Sequence, residues 1–455
     1  MTVERHDLVV VGGSDAGISA GMRAHEVDPG VEPLVLVADA YPNFSICGLP
    51  FYLSGETPDW RDLAHRDRAD LEAAGLQLRL EHTAVDVDAE RHVLTVDDPG
   101  GRQRTVAYGQ LIIGTGAMPV RPPIEGLDLP GVHTLHTMDH VFAVHDDITS
   151  AVSGCVVVVG AGYIGLELAD AFVHRGLDVT VVEMLDQVLA TVDAELADDL
   201  RSELELHGVT VATGVTVTAI EQAGAALRVC TNDGAARPAD VVVVATGVRP
   251  NTALGEAAGV TIGETGAIAV DERMRTGVPD VFAAGDCVET RHALLDRPTY
   301  LPLGTTAHKQ GRVAGANAAG RPAVFAGSLG SQVVKLFDRV VARTGLRPQE
   351  AHALGFDPRT VDVTVDDHKA YYPGATDLRM RLTADAGGRL LGAQLLGHSD
   401  AEVAKRCDVV ATAIQLGCAV DDLLDLDLTY TPPLSAPWDP VQQVAQRWST
   451  AATTA

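Results

Sequence analysis

Aromatic residues are scarce. Phe, Trp and Tyr make up 4% of the 455 residues, so aliphatic side chains within a hydrophobic fraction of 46% must fill the cores. Cations are also in the minority: 34 Lys and Arg against 62 Asp and Glu leave a formal net charge of −28. Such a surface repels phosphate backbones and anionic lipid, which argues against nucleic-acid or membrane partners held by long-range attraction. A small anionic ligand stays permitted, because backbone amides at a helix start bind phosphate locally. The acidity otherwise reads as a solvated surface. Cysteine is sparse and scattered over Cys47, Cys155, Cys230, Cys287, Cys407 and Cys418. No CxxC pair occurs, so zinc-ribbon and thioredoxin-type chemistry lacks its signature and no metal site is expected. A chain of this length needs no disulfide staples, and reduced thiols fit the cytosol. No basic segment followed by a long apolar stretch marks a signal peptide. No apolar run approaches the roughly 20 residues of a membrane span. The expected location is the cytoplasm.

What is present is a repeat. At about 150 residues per domain the length allows roughly three domains. The pattern strand, glycine turn, helix, strand occurs twice, first as Asp7–Gly17 followed by Leu34–Asp39, then as Cys155–Gly165 followed by Asp178–Glu183. Continuous apolar strands of this kind belong to parallel sheets covered on both faces, and two such folds suggest two dinucleotides. Between the copies, Leu111–Pro123 is a strand with a Gly- and Pro-rich exit, and Val241–Asn251 repeats that texture. Val281–Asp286 is another buried strand, ending at Gly-Asp. The first domain therefore reads as interrupted: it starts, the second is inserted, and the chain returns. From about Phe325 alternating segments such as SQVVKLF and RLLGAQLLG predict an antiparallel sheet, with an amphipathic helix over Ala401–Gly417. The small polar tail after Trp448 is expected to fray.

The second glycine turn is complete. Gly160 permits the tight turn, Gly162 lets a pyrophosphate approach the backbone and Gly165 lets helix pack on strand, with Tyr163 and Ile164 between them. Glu183, 18 residues past Gly165, ends the next strand where a carboxylate accepts hydrogen bonds from a ribose 2′-OH. Met184 and Leu185 offer no cation to a 2′-phosphate, so NADH is expected over NADPH. The first turn keeps Gly12 and Gly17 but carries Ser14 in the second glycine's place, followed by Asp15 and Ala16. Asp39, 22 residues past Gly17, is its ribose-binding candidate.

These pieces together resemble the FAD-dependent pyridine nucleotide-disulfide oxidoreductases over nearly the whole chain. By that resemblance Thr115 and Gly116 lie in a second FAD-contact segment, Gly285 and Asp286 in a third with Asp286 on the ribityl chain, and Thr305 and Thr306 beside the isoalloxazine. Gly247 belongs to the matching exit of the second fold, and Glu167 is placed near the nicotinamide, a solvated helix carboxylate being the alternative. The implied fold is α/β: two Rossmann-like domains, the NAD domain inserted in the FAD domain, plus a C-terminal α+β dimerisation domain. The implied spans are 1–118 and 246–324 for FAD, 119–245 for NAD(H) and 325–455 for dimerisation.

The segment NFSICGLPFYLSGE (Asn43–Glu56) resembles the active-site segment of the single-cysteine branch, which holds coenzyme A-disulfide reductases, NADH oxidases and peroxidases, and NADH-dependent persulfide reductases. Cys47 is then the redox thiol. It precedes Gly48, Leu49 and Pro50, Pro fits a first helical turn, and a cysteine near a helix start gains thiolate stabilisation. The other five cysteines read as inert. His368–Ala375 and Leu428–Pro440 resemble segments whose tyrosines reach the thiol site of the other subunit of a homodimer. Tyr372 and Tyr430 are the catalytic candidates, Tyr371 the less suited, and the Tyr430 phenol can donate to a leaving thiolate.

Four departures bear on the substrate. Asp15 stands where the oxidases and peroxidases carry a histidine, and an ionised Asp cannot donate; it reads either as a carboxylate opposing the thiolate or, preferably, as a helix cap. Ile46 replaces an Asn frequent in coenzyme A-disulfide reductases, His25-Glu26 replaces arginines for coenzyme A phosphates, and Leu434 replaces a second aromatic. The leading expectation is an NADH-dependent reductase of a small-molecule disulfide or persulfide. The alternatives are an NADH oxidase passing electrons to O₂ through a Cys47 sulfenate, and a redox sensor that does not turn over.

Overall fold

The computed structural model describes residues 3–453, which fall into two compact units. One takes in the chain up to Val120, Thr134–Ala143 and Gly247–Ser328; the other takes in Arg121–His133, Val144–Thr246 and the chain from Leu329 onward.

In the first unit Glu4–Val11, Leu34–Leu36 and Gln77–Arg79 run parallel in adjacent positions. On the other side of Glu4–Val11 lies the long strand Gln103–Ile113, in register from Glu4 opposite Val106 to Val11 opposite Ile113. That strand changes partner along its length. Its first half pairs antiparallel with Val93–Asp97, and Leu111–Ile113 pair parallel with Val281–Ala283. The late return of the chain to the first sheet is thus real. Alternation explains the apolar runs: Val9, Val11, Leu111 and Ile113 enter one core, Leu8, Val10 and Ile112 the other, so neither face can be polar.

The helix Asp15–Val27 follows the first strand and packs against Gly304–Ala318. Their crossing is set by small residues. A Cβ on Gly311 would lie 2.2 Å from the carbonyl oxygen of Ala16, and one on Gly315 would lie 2.0 Å from that of Ala20. The two backbones therefore meet directly, with no side chain between them.

In the second unit Thr210–Ala212, Asp178–Val182, Cys155–Val159 and Val241–Val244 form a parallel sheet. The C-terminal region is a five-stranded antiparallel sheet in the order Gln332–Leu336, Arg339–Gly345, Leu390–His398, Asp377–Asp385, Pro358–Asp366. The amphipathic stretch is the helix Val403–Gln415. The second dinucleotide fold and the C-terminal sheet fall in one compact unit, in which buried Asp193 donates its amide to Gln394 Oε1 at 2.7 Å and accepts from Gln394 Nε2 at 2.8 Å. Asp170 likewise accepts from the Phe337 amide at 2.9 Å. The tail does not fray at Trp448 but continues as the helix Pro440–Thr453, since Trp448 is buried beneath the Arg359 guanidinium. Among the described residues no helix is long and apolar enough to cross a membrane.

The helix crossing is testable. Gly311→Ala places a methyl against backbone that has no rotamer to yield, so unfolding free energy in a denaturant titration should fall by about 1–3 kcal/mol. A variant as stable as the parent would show that the helices do not meet at backbone distance.

Candidate functional site

In the first sheet Glu4–Val11 has the next strand Leu34–Leu36 on one side and the much later Gln103–Ile113 on the other, and the crevice at the carboxyl ends of strands at such a switch of order is the usual ligand position in these sheets. Gly12 sits there with φ of +123°. A Cβ on it would lie 2.1 Å from the Gly114 carbonyl oxygen, and one on Gly17 would lie 2.0 Å from that of Gly12. Only glycine satisfies both. Ser14 is the N-cap residue of the helix, and its side chain makes no capping bond. Asp39 accepts the Tyr41 amide at 2.9 Å, and burial, opposed by that bond, raises its carboxyl above the usual range.

The same crevice receives the later segments. The Thr115 hydroxyl donates to the Asn251 carbonyl at 2.6 Å, and Asn251 donates its amide to the Gly116 carbonyl at 2.9 Å. The Gly285 amide donates to Gln310 Oε1 at 2.9 Å, and Gln310 Nε2 donates to Thr290 at 3.0 Å. Gln310, fully buried, escaped sequence reasoning: a glutamine inside a helix carries no signal of its own. Burial, with nearby Asp15 second, pushes Asp286 up to about 6. Thr306 is buried and donates to Ser328 at 3.2 Å, whereas Thr305 is exposed.

The thiol loop is tied to this crevice. The Asn43 amide donates to the Gly13 carbonyl at 2.7 Å. Phe44 bridges Ala64, the Ser45 amide donates to Leu63 at 2.7 Å, and the His65 amide donates to Asn43 at 2.9 Å. Cys47 lies within the turn Ile46–Gly48, directly before the helix Leu49–Ser54 with its early Pro50, and it is exposed. Cys287 and Cys407 are buried, and burial pushes both thiols up, Cys407 to about 12. Among the described residues no disulfide forms.

Asp15 does not cap the helix it begins. Its carboxylate pairs with His308 Nε2 at 3.1 Å, and His308 Nδ1 meets the Ser19 hydroxyl at 2.7 Å. The cap fails because the packed helix Gly304–Ala318 brings an imidazole within reach. The hydrogen bond from Asp15 in turn raises the His308 pKa. No pattern in the sequence links residues so far apart.

The second crevice repeats the first. Gly160 has φ of +106°, and a Cβ there would lie 2.5 Å from the Ala245 carbonyl oxygen. A Cβ on Gly165 would lie 2.0 Å from that of Gly160. Gly162 differs: its Cβ would meet nothing within 4 Å, which leaves the open space a pyrophosphate needs. Gly247, φ +99°, is also open. Tyr163 and Ile164 begin the helix and are half-buried. Glu183 accepts the Ala161 amide at 2.7 Å and the Leu185 amide at 2.8 Å, which fixes its carboxylate at the turn. Each oxygen keeps a further lone pair for a ribose hydroxyl. Met184 and Leu185 are exposed and apolar. Glu167 is half-buried. Burial, then Asp170, pushes it up to about 7 against the pull of Lys335.

The tyrosine segments are exposed: Tyr371 by 74%, Tyr372 by 43% and Tyr430 by 46%. Tyr371, the less suited by sequence, is the most exposed. Both segments belong to the second unit, and the Lys369 amide donates to the Pro432 carbonyl at 3.3 Å.

Residues 6–311 match the pyridine nucleotide-disulphide oxidoreductase family, and residues 331–440 match its dimerisation domain. A Pyrococcus furiosus protein named NAD(P)H sulfur oxidoreductase (CoA-dependent) is 34% identical over 446 residues, covering 98% of this chain and 99% of the relative. A Methanocaldococcus jannaschii NADH oxidase is 32% identical, covering 96% of this chain and 97% of the relative. The solved NAD-dependent persulfide reductase from A. fulgidus is 38% identical with a TM-score of 0.94, covering 98% of this chain and 84% of that one.

The raised Glu167 carries a pH prediction. Its ordinary value is 4.5 and its folded value about 7, so between them the folded chain holds a proton that the unfolded chain has lost. Stability is then full below pH 4.5 and declines until pH 7. Glu167→Gln removes that decline. The midpoint of thermal unfolding, variant minus parent, should be more positive at pH 8 than at pH 5; an equal difference at both would refute the shift.

Proposed function

The chain belongs to the pyridine nucleotide-disulphide oxidoreductase family, and from that premise we propose that it reduces a small-molecule disulfide or persulfide with NADH, through Cys47. The observation that carries this reading is the exposed thiol on a loop bonded to the first glycine turn. The next cysteine in the chain is Cys155, so the sulfur that Cys47 engages comes from outside its own loop.

The family implies FAD and NAD(P)H, and the residues present fit both. The first crevice, with Gly12, Ser14, Asp15, Ala16, Gly17, Asp39, Thr115, Gly116, Gly285, Asp286, Thr305 and Thr306, would hold FAD. The second, with Gly160, Gly162, Tyr163, Ile164, Gly165, Glu167, Glu183 and Gly247, would hold NADH. FAD, when bound, accepts the hydride of NADH and delivers the electron pair to the thiol site. In this reading residues 1–118 and 246–324 serve FAD, 119–245 serve NADH and 325–455 pair two copies as a homodimer.

The Cys47 thiolate attacks one sulfur of the substrate disulfide, forming a mixed disulfide and expelling a thiolate. Tyr430, with Tyr372 or Tyr371 beside it, donates a hydrogen bond or proton to that leaving sulfur from the partner subunit. Two electrons then cleave the mixed disulfide and free the second thiol. The sum is RSSR + NADH + H⁺ → 2 RSH + NAD⁺, or for a persulfide RSSH + NADH + H⁺ → RSH + H₂S + NAD⁺. Glu167, its carboxyl raised to about 7, is placed beside the nicotinamide.

Cys47→Ser tests the reading directly. The protein should stay yellow and NADH should still bleach it, while reduction of small disulfides and persulfides falls by about two orders of magnitude or more. A variant that turns over disulfides normally would make Cys47 a bystander, and a parent that reoxidises only with O₂ would make the protein an NADH oxidase. For the nucleotide, kcat/KM should favour NADH over NADPH several-fold. Glu183→Ala should erode that preference; equal use of both by the parent would refute the role given to Glu183.

A further inference from the structure

One buried cation ties together the two tyrosine-bearing segments. Arg406, on the helix Val403–Gln415, is buried, with its side chain 7% exposed. Its NH2 donates to the carbonyl of Asp367 at 2.7 Å, directly before the segment His368–Ala375, and to the carbonyl of Leu434 at 3.2 Å, inside the segment Leu428–Pro440. Its NH1 donates to the carbonyl of Ala401, and its Nε meets Asp439 Oδ2 at 3.3 Å.

Asp367 and Asp439 extend the network into the two tyrosine segments. The Asp367 carboxylate accepts the Thr376 amide at 2.7 Å and meets His368 Nδ1 at 2.9 Å. The His368 ring stands edge-to-face with Tyr372, centroids 5.9 Å apart. On the other side, Ser435 donates to Asp439 Oδ2 at 2.7 Å, while Asp439 Oδ1 accepts the Val441 amide at 2.9 Å. The hub thus fixes the segment that carries Tyr430.

We propose that Arg406 is a positioning residue for the thiol reaction: its guanidinium holds the Tyr371–Tyr372 segment and the Tyr430 segment as one rigid unit, so that both present their phenols together to the thiol site of a second copy. The assignment rests on the function proposed above and adds the device that sets its geometry. Arginine suits this place, because its planar fork serves several carbonyls from one buried cation, whereas the compact ammonium of lysine cannot span them. A buried pair with Asp439 supplies the counter-charge that burial of a cation requires.

The test uses the flavin-loaded full-length protein and Arg406→Lys, with sedimentation and flavin content checked first. Flavin reduction by NADH should proceed at the parent rate, since it involves no tyrosine. Reoxidation of the reduced protein by a small disulfide such as hydroxyethyl disulfide should slow by about 10- to 100-fold, the usual effect of a misplaced reacting group. The discriminating measurement is a double-mutant cycle. If Arg406 acts through the phenols, Arg406→Lys added to Tyr430→Phe and Tyr372→Phe should cost far less than it does alone. Full additivity would show a general structural role and overturn the assignment. Should Arg406→Lys fail to give a flavin-loaded dimer, Ser435→Ala loosens Asp439 while keeping the cation, and it must show the same split between half-reactions; without that split the proposal falls. If the tyrosine variants lose disulfide turnover but Arg406→Lys keeps it, only the assignment of Arg406 fails. If the tyrosine variants turn over normally, the crossing of tyrosines between subunits fails with it.

Discussion

Direct contact between two backbones governs the first unit. Where Gly311 and Gly315 meet the carbonyls of Ala16 and Ala20, the helices Asp15–Val27 and Gly304–Ala318 approach with no side chain interposed. That separation is what lets His308 reach Asp15 and lets Gln310 reach the Gly285 amide. A wider crossing would leave Gln310, fully buried, without its acceptor role and would leave Asp15 without its imidazole partner. The arrangement around the first crevice is thus a consequence of four small residues.

Electrostatics shape the same region in a way that net charge does not reveal. The chain is strongly acidic, yet burial favours the proton on Asp39, Asp286 and Glu167, the last two at about 6 and about 7. Asp286 and Glu167 each have a second carboxyl nearby, Asp15 and Asp170 respectively. A neutral carboxyl donates a hydrogen bond, whereas an ionised one only accepts. Asp15, in contrast, has a basic partner in His308.

The second unit uses buried polar hubs where the first uses glycine contacts. Asp193 with Gln394, Asp170 with the Phe337 amide, and Arg406 with two loop carbonyls each join segments that are remote in sequence. In each hub a buried charge or amide is held by partners from remote segments, in Arg406 mostly backbone carbonyls, and any shift leaves a desolvated group unpaired.

The strands, both glycine turns and the interrupted first domain were legible in the sequence, because each rests on local chemistry. Apolar runs bounded by glycine dictate buried parallel strands, and Gly12, Gly17, Gly160 and Gly165 stand where a Cβ would strike a carbonyl. The places of Glu183 at the end of its strand and of Cys47 directly before a helix start were legible too, because each follows from the local chain pattern. The partner of Asp15 was not, nor were the places of Gln310 and Arg406, nor the helical tail beyond Trp448. Those depend on which helix packs where, and a residue's neighbour across a packed interface leaves no periodic trace in the chain. The sequence by itself determined where a dinucleotide can approach the backbone; tertiary packing alone decided which side chains surround that approach and which of them are charged.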